Sequence, residues 1–367
     1  MSIICKDIMN YLEEIAPPHL CEDWDNIGLM IGSKNKKVDK ILICLDITKQ
    51  VVKEAIEQKA DMIISHHPFL FKGIKRINPE DPKGELIYNL IREDICVYSA
   101  HTNLDFAESG LNYTLAKTLG LKDIKNLRIH KKEKLYKIVV FVPCEYGDKV
   151  TNAMTAAGAG WIGNYSDCSF TLEGTGAFRP LEGSNPFIGD TNKLEKVSEY
   201  RVETIVREEL LGKVVESMLK AHPYEEPAYD IYALVQGGKE YGYGKTGELD
   251  KALSLDEFTA LVKSSLNLQS LRIIGDRSDR IKKVGVFCGS FDGNVIPSLN
   301  KLDILVTGDI KYHTALDIAE LGLCVIDAGH FGTERIIVNE LNRLLKDKFS
   351  NLTIVPSKVE KDPIKVT

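Results

Sequence analysis

The sequence predicts an α/β protein whose core has a parallel or mixed sheet with helices on both faces, interrupted by an inserted α+β domain. Apolar runs of strand length alternate with amphipathic helical segments in the first third of the chain, and this alternation resumes in the last third. The middle third follows another pattern. The length of 367 residues also suits two domains better than one.

The core elements follow from periodicity and from helix and strand boundaries. A helical pattern at the N-terminus ends before Pro17-Pro18, and Ser254 is a predicted N-cap. Before the insert we predict a helix (4–15), strand (41–47), helix (51–59), strand (61–65), helix (83–93), strand (95–99) and helix (110–119). After it we predict a helix (255–266), strand (284–288), short helix (293–299), strand (303–307), helix (312–321), strand (323–327), helix (333–348) and strand (352–355).

The middle segment predicts a strand–helix–strand unit that occurs twice. Its elements are a strand (136–143), helix (148–157), extended stretches (167–172, 174–178 and 200–206), helix (210–221) and strand (229–235). This order is typical of a ferredoxin-like α+β domain. A lysine-rich segment near His130 and a glycine-rich stretch at 237–247 mark its edges. We therefore predict a discontinuous core over 1–126 and 246–367 and an inserted domain over 127–245.

Charge, cysteine usage and hydropathy limit the class of protein. The formal net charge of −6 argues against a broad nucleic-acid surface, which needs clustered Lys and Arg. Eight cysteines occur without a C-x-x-C pair, several of them inside apolar runs, as expected for free thiols in a reducing compartment. No signal-peptide pattern opens the chain, and no apolar run approaches the roughly 18 residues of a membrane span. We expect a cytoplasmic protein without a membrane segment.

Histidines and acidic residues follow the ends of several predicted strands. The strand at 61–65 ends at His66 and His67, which are followed by Pro68. Five of the eight histidines fall in four such segments: Ser65-His66-His67-Pro68, His101-Thr102-Asn103-Leu104-Asp105, Gly308-Asp309-Ile310-Lys311-Tyr312-His313 and Gly329-His330-Phe331-Gly332-Thr333-Glu334. Since ligands bind beyond the carboxyl ends of parallel strands, the fold would gather these side chains on one edge.

The residue types predict a metal site. His330 and Glu334 share a face if the turn that carries them is helical, whereas the neighbours His66 and His67 diverge and suit two different cations. Asp105 or Glu334 can bridge. Five ligands of this kind suit two divalent cations roughly 3.5–4 Å apart. The set without thiolate argues against a closed structural zinc site and fits zinc, iron, manganese, cobalt or nickel.

Other candidates carry weaker expectations. We place His101 in a loop, beside the ligands or as a proton-transfer group, with direct ligation as the second choice. Asp46 either reaches the same edge or is an ordinary turn residue, and Asp309 is predicted to be a helix N-cap. We predict a buried thiol at Cys288, a tight turn at 158–163 and a helix-to-strand connection at 222–227.

The chain resembles the NIF-three-like family, whose members are catalogued as GTP cyclohydrolase 1 type 2 homologues. Trp24-Asp25-Asn26-Ile27-Gly28-Leu29 carries the resemblance together with the four histidine segments, while the middle segment is similar to the PII/CutA-like domain of longer bacterial members. The resemblance implies a dinuclear site at His66, His67, Asp105, His330 and Glu334. It also implies a ring-shaped homo-hexamer with the sites facing an internal cavity.

Two functions follow as hypotheses. The first is a metal-dependent hydrolase acting on a nucleotide or another phosphorylated or cyclic C–N substrate, with His101 moving a proton. The second is a non-catalytic metal-binding assembly that acts as a regulator, scaffold or metal carrier. The sequence names neither the metal nor a small-molecule substrate or effector, and a fold alone does not define one.

Overall fold

The computed structural model describes residues 2–291 and 293–365 and divides the chain into two compact units. The first unit comprises Met1–Lys131 and Tyr241–Thr367, and the second comprises Lys132–Glu240. No helix within the described residues is long and apolar enough to cross a membrane.

The first part of the chain alternates strands and helices as its periodicity predicts. The elements are α1 (Cys5–Ile15), β1 (Gly28–Ile31), β2 (Lys40–Cys44), α2 (Lys49–Glu57), β3 (Met62–Ser65), α3 (Pro82–Arg92), β4 (Cys96–Ser99), α4 (Thr102–Phe106), α5 (Leu111–Thr118) and β5 (Lys122–Lys132). The loop expected around His101–Asp105 is in fact the short helix α4. The sequence signal was weak because the helix has only five residues.

The second unit contains β6 (Leu135–Pro143), α6 (Gly147–Ala156), β7 (Ser169–Phe178), β8 (Glu195–Arg207), α7 (Glu208–Ala221) and β9 (Tyr229–Ala233). Its sheet has the order β7-β8-β6-β9, and each neighbouring pair is antiparallel. Its apolar cluster joins one sheet face to both helices through residues such as Val140, Val202, Met154 and Met218.

The chain then returns to the first unit. The elements are β10 (Glu240–Leu253), α8 (Leu255–Leu266), β11 (Arg272–Ile274), β12 (Ile281–Ser290), α9 (Ile296–Leu299), β13 (Ile304–Gly308), α10 (Tyr312–Glu320), β14 (Val325–Asp327), α11 (His330–Glu334), α12 (Ile336–Lys348) and β15 (Thr353–Pro356). Ser254 caps α8 by accepting a hydrogen bond from the Glu257 backbone N–H, as predicted.

The core contains two mixed sheets where the sequence predicted a single one. One sheet has the order β1-β4-β3-β2-β15, and the other has the order β11-β14-β13-β12-β10-β5. The central strands of both are parallel, while β1, β11 and β10 pair antiparallel with their neighbours. Periodicity reveals strands but not their partners, so it could not separate the two sheets. One apolar cluster includes residues of both, among them Ile43, Tyr98, Val286 and Ile326.

The short strands β1 and β11 were not predicted, and neither were β5 and β10. The sequence of β5 is dominated by polar and charged residues, and β10 contains Gly242, Gly244 and Gly247 where a flexible stretch was expected. Side chains at Gly242 and Gly247 would collide with the backbone carbonyls of Arg128 and Lys122, so the glycines permit close strand approach. Because these strands belong to the core sheet, residues 127–131 and 241–245 lie in the first unit rather than in the insert.

Candidate metal centre

The site lies beyond the carboxyl ends of strands from both sheets of the first unit. His66 and His67 follow β3, His101 follows β4, and Asp105 lies on α4. On the other sheet, β14 leads through Gly329 into α11, which carries His330 and Glu334. The carboxyl ends of the parallel strands in the two sheets therefore bring together side chains that are more than 260 residues apart in sequence, such as His67 and Glu334.

His67, His330 and Glu334 form the tightest part of this cluster. Glu334 Oε2 lies 2.8 Å from His67 Nε2 and 3.1 Å from His330 Nε2, and the two imidazole nitrogens are 3.3 Å apart. Ligands about 2.1 Å from a shared cation are themselves roughly 3 to 3.4 Å apart in octahedral or tetrahedral geometry. The two distances to His330 Nε2 fall in this range and the third is slightly shorter, so the three atoms lie close to the spacing that a single divalent cation requires.

His66 and Asp105 lie next to this group. His66 Nε2 is 3.6 Å from Asp105 Oδ1 and 3.9 Å from Glu334 Oε2. Both His66 Nε2 and Asp105 Oδ1 are buried without a hydrogen-bond partner. Since a buried polar atom without a partner costs about 1–3 kcal/mol, this pair calls for a ligand between the two atoms.

The Nδ1 atoms orient three of the imidazoles toward the cluster. His66 Nδ1 is 2.9 Å from the Ala100 carbonyl oxygen, which fixes it as a donor. His67 Nδ1 is 2.8 Å from Asp46 Oδ1, and His330 Nδ1 is 2.8 Å from Asp309 Oδ2. A donor at Nδ1 leaves the Nε2 lone pair free in the neutral ring, which is the arrangement seen in metal-bound histidines.

His101 completes the ring of imidazoles. Its ring centroid lies 5.2 Å from that of His66 and 5.6 Å from that of His67, and its Nδ1 is 2.9 Å from Asp25 Oδ1. Asp25 Oδ2 accepts hydrogen bonds from the backbone N–H and the hydroxyl of Thr102, at 3.1 and 2.5 Å. His66, His67 and His101 can hold a cation, as can His67, His330 and Glu334. Direct ligation by His101, the second choice from the sequence, therefore gains support from this geometry.

Burial and neighbouring charges set opposite protonation states within the cluster. Complete burial lowers the pKa of His66 to about 3, so this ring is neutral. Burial also disfavours charge on His67, but Asp46 and Glu334 outweigh it and raise its pKa to about 10. The hydrogen bond to Glu334 is the main reason that the pKa of His330 rises to about 9.

Burial and neighbouring groups also shift the pKa values of the two carboxylates, in opposite directions. Burial raises the pKa of Asp105 to about 7. Burial has the same tendency at Glu334, yet hydrogen bonds with His330 and His67 hold the pKa of Glu334 well below its usual range. A cation would take the place of the protons that His67 and His330 carry beside the buried Glu334 carboxylate. The donor set, the spacing and the two partnerless atoms therefore fit divalent metal.

Metal loading is expected to release protons, because the cation competes for nitrogens that carry protons at neutral pH. His67 and His330 have pKa values of about 10 and 9, so metal affinity rises as pH increases toward these values and falls as pH decreases. Titration of metal into weakly buffered, metal-free protein at pH 7 should release on the order of two protons per chain. Uptake without a pH change would contradict this assignment, and protein already loaded with metal is the control.

Asp309 has a role that the sequence did not predict. The expected N-cap role is wrong, since the N-cap of α10 is Lys311 and the Asp309 carboxylate instead accepts from His330. Asp309 has a left-handed backbone conformation with φ 49°. Its pairing with His330 could not be read from a residue 21 positions away in sequence.

Asp309→Asn is expected to lower metal affinity on the order of 10–100-fold, because the orienting charge behind His330 is removed. Asparagine tolerates the left-handed conformation, so the fold should persist. Competition with a metal-binding dye measures the change. Asp317→Asn, an exposed substitution on the following helix, is the matched control. Equal affinities for the two variants would show that Asp309 does not support the site.

Two further features of the site were not predicted from the sequence. Gly289 is the second-last residue of β12 and has a left-handed conformation with φ 66°. A Cβ there would overlap Glu334 Oε1 and lie 3.5 Å from His330 Nε2. Glu360 accepts hydrogen bonds from the backbone N–H groups of Leu45 and Asp46, at 2.7 and 2.9 Å, and so fixes the turn that presents Asp46 to His67. Asp46 thus reaches the site edge rather than serving only as a turn residue.

The remaining candidates have no assigned role as metal ligands. Cys288 is buried, and this burial raises the pKa of its thiol far above the usual value, as expected for an inert thiol. Gly158 and Gly160 follow α6 with positive φ, which fits the predicted turn. His222 lies between α7 and β9 as predicted, with Nε2 2.9 Å from the Phe141 carbonyl oxygen. His313 contacts Tyr312 edge-on, and no ligand role follows from that contact.

The fold and the cluster define a mixed α/β protein with a histidine–carboxylate site that can hold metal ions. Residues 3–363 match the model of the family Duf34/NIF3 (NGG1p interacting factor 3), and the chain belongs to this family.

The similarity to known proteins extends over nearly the whole chain. The chain is 42% identical over 363 residues to the GTP cyclohydrolase 1 type 2 homolog of Halalkalibacterium halodurans, covering 98% of this chain and 97% of that protein. It is 39% identical over 366 residues to the Bacillus subtilis protein of the same name, with coverage of 99% and 98%. A solved structure of a Bacillus cereus protein related to NIF3 superposes with a TM-score of 0.88 at 39% identity and covers both chains completely.

Proposed function

We propose that the first unit binds two divalent cations and uses them to hydrolyse a nucleotide or another phosphorylated or cyclic C–N substrate. The observation that carries the proposal is the convergence of buried His66 Nε2 and Asp105 Oδ1, both without partners, on the His67–His330–Glu334 group. One cation would be held by His67, His330 and Glu334, and the other by His66 and Asp105, with His101 as a further ligand or proton carrier.

The chemistry of such a pair follows from general principles. Two bound divalent cations supply Lewis-acid polarisation of an electrophile and lower the pKa of an attacking water. The chain's own residues orient the reacting groups: Asp46 and Asp309 hold two imidazoles, and Asp25 holds His101. Burial favours the neutral form of Asp25, but hydrogen bonds from His101 and Thr102 keep its pKa well below the usual range. A permanent carboxylate at Nδ1 lets His101 accept and return a proton at Nε2.

The names of the relatives support a nucleotide as the first substrate to test. Metal-loaded protein is incubated with GTP, other nucleoside triphosphates, phosphomonoesters and cyclic amides, and products are separated by chromatography. Turnover that chelation abolishes, that added metal restores and that Glu334→Ala lacks is the expected result. Full metal occupancy without turnover across the panel would overturn the hydrolase proposal.

The alternative is a non-catalytic, metal-binding regulator, scaffold or carrier. It is favoured by the second unit, which has its own apolar core and does not belong to the cluster. We propose that this unit is a ferredoxin-like domain of the PII/CutA kind, which its β-α-β-β-α-β order and antiparallel sheet support. Tight metal binding, absence of turnover and a reproducible partner in pulldown experiments would select this function.

We further propose a cytoplasmic homo-hexameric ring. Eight free cysteines, several of them buried, support a reducing compartment. Light scattering of the purified protein tests the assembly: a mass six times that of the 41.0 kDa chain is expected, and a monomer would contradict it.

A further inference from the structure

The second unit contains a cavity on the sheet face opposite its helices. Along β8, Tyr200, Val202 and Val206 pack with the helices, so the alternating residues Glu199 and Arg201 face the other side. The cavity has a volume of about 790 Å³, and the segment 180–188 and residues near Tyr224 contribute to its lining. This volume lies in the range of pockets that hold small organic ligands.

Aromatic rings and a buried carboxylate line the cavity together. The Phe178 and Tyr224 ring centroids are 5.6 Å apart, and those of Phe187 and Tyr224 are 6.3 Å apart. Glu199 is only 8% exposed, and its Oε1 accepts a hydrogen bond of 2.9 Å from the Tyr224 hydroxyl. Burial and this bond to Glu199 raise the pKa of Tyr224, so its hydroxyl remains a neutral donor.

The charges of the lining favour a cationic ligand. Glu173, Glu199 and Glu225 each accept a hydrogen bond from an uncharged group, namely a serine hydroxyl, a tyrosine hydroxyl and a backbone N–H. The two arginines of the lining are engaged by protein acceptors: Arg201 pairs with Glu203 at 2.9 Å, and Arg179 donates to the Asn192 carbonyl at 2.6 Å. Among the described residues, no lysine or arginine pairs with these three carboxylates, and the lining contains four glutamates, with Glu226, against two arginines.

Gly176 gives the Glu199 carboxylate its position. A Cβ at residue 176 would overlap Glu199 Oε2, so the carboxylate rests directly against the backbone of β7. A charge held at the base of an aromatic-lined cavity can pair with an ammonium group, and the ring faces add cation–π attraction. Exposed acidic clusters lack this combination of burial, fixed geometry and aromatic walls.

We infer that the cavity of the second unit binds a small organic cation, an ammonium group on an apolar or aromatic body, with Glu199 as its counter-ion and Phe178, Phe187 and Tyr224 around it. The site is separate from the metal cluster, and the inference does not depend on the proposed hydrolase activity. It gives the second unit a ligand-binding role of its own.

Calorimetric titration of the full-length protein tests this with three probes of similar shape: 2-phenylethylammonium, 3-phenylpropionate and 2-phenylethanol. Glu199→Gln retains the acceptor for Tyr224 but removes the charge, and it should weaken binding of the ammonium probe about ten-fold or more. The variant should alter binding of the anion and the alcohol less than about two-fold. Glu182→Gln, which removes an exposed carboxylate from the same segment, should bind all three probes as the wild type does.

Three results would overturn the inference: no binding of the ammonium probe at millimolar concentration, an unchanged affinity in Glu199→Gln, or an equal loss for the anion. If Glu199→Gln does not fold, crystals of the wild type soaked with 2-(4-bromophenyl)ethylammonium replace it. A bromine anomalous peak beside Phe187 and Tyr224 supports the site. A peak elsewhere, or a cavity filled by a second copy of the chain, contradicts it.

Discussion

Glu334→Ala protein is expected to lose its divalent metal while remaining folded. Glu334 lies close to three imidazoles of the cluster: its Oε2 is 2.8 Å from His67 Nε2, 3.1 Å from His330 Nε2 and 3.9 Å from His66 Nε2. Loss of an orienting partner alone costs roughly 10–100-fold in metal affinity, so loss of this carboxylate should cost at least about 100-fold. The metal content of purified protein, measured by elemental analysis, should fall close to zero.

Glu340→Ala is the matched control for this experiment. Glu340 lies on the following helix and pairs with Arg343 on the protein surface, with 26% of its side chain exposed. This variant should retain the metal content of the wild type. If Glu334→Ala also retained it, the cluster would not be the metal site, and the assignment of all five ligands would fail together.

Gly289→Ala should weaken metal binding without changing any ligand. The methyl group would overlap Glu334 Oε1, which must move away from the position it shares with His330 and His67. The left-handed conformation adds about 1 to 2 kcal/mol of strain for a non-glycine residue. We therefore expect a lower free energy of unfolding together with a metal affinity reduced at least about ten-fold.

Gly322→Ala separates these two effects. Gly322 has the same φ of 66°, yet a Cβ there meets no atom within 4 Å. This variant should share the loss of unfolding free energy, measured by urea denaturation, and keep the metal affinity of the wild type. An equal loss of metal in both variants would mean that strain, and not contact with Glu334, explains the effect at Gly289.

Sequence reasoning could predict the cluster because its members follow strand ends. The histidines after β3 and β4 and the residues of α11 lie where parallel strands present ligands, so their order in the sequence was sufficient. The partners Asp25 and Asp309 were missed or misjudged because they reach their histidines across 76 and 21 positions. Such pairings depend on strand order and on loop conformation, which periodicity does not encode.

The same limit explains the errors in the fold. Apolar strands such as β2, β3 and β13 are recognisable from their composition, whereas β5 and β10 are polar or glycine-rich and pair for reasons that lie in their neighbours. The C-terminal strand β15 joins the first sheet by pairing with β2, a long-range pairing that periodicity does not encode. Gly289 carries no chemical group, and only the overlap that a Cβ would make reveals its importance.

The most direct measurement is anomalous diffraction from crystals of the metal-loaded protein, collected on both sides of the metal's absorption edge. The account predicts two peaks roughly 3.5–4 Å apart, one beside His67, His330 and Glu334 and the other beside His66 and Asp105. A single peak, or peaks away from these side chains in fully loaded protein, would contradict the dinuclear centre.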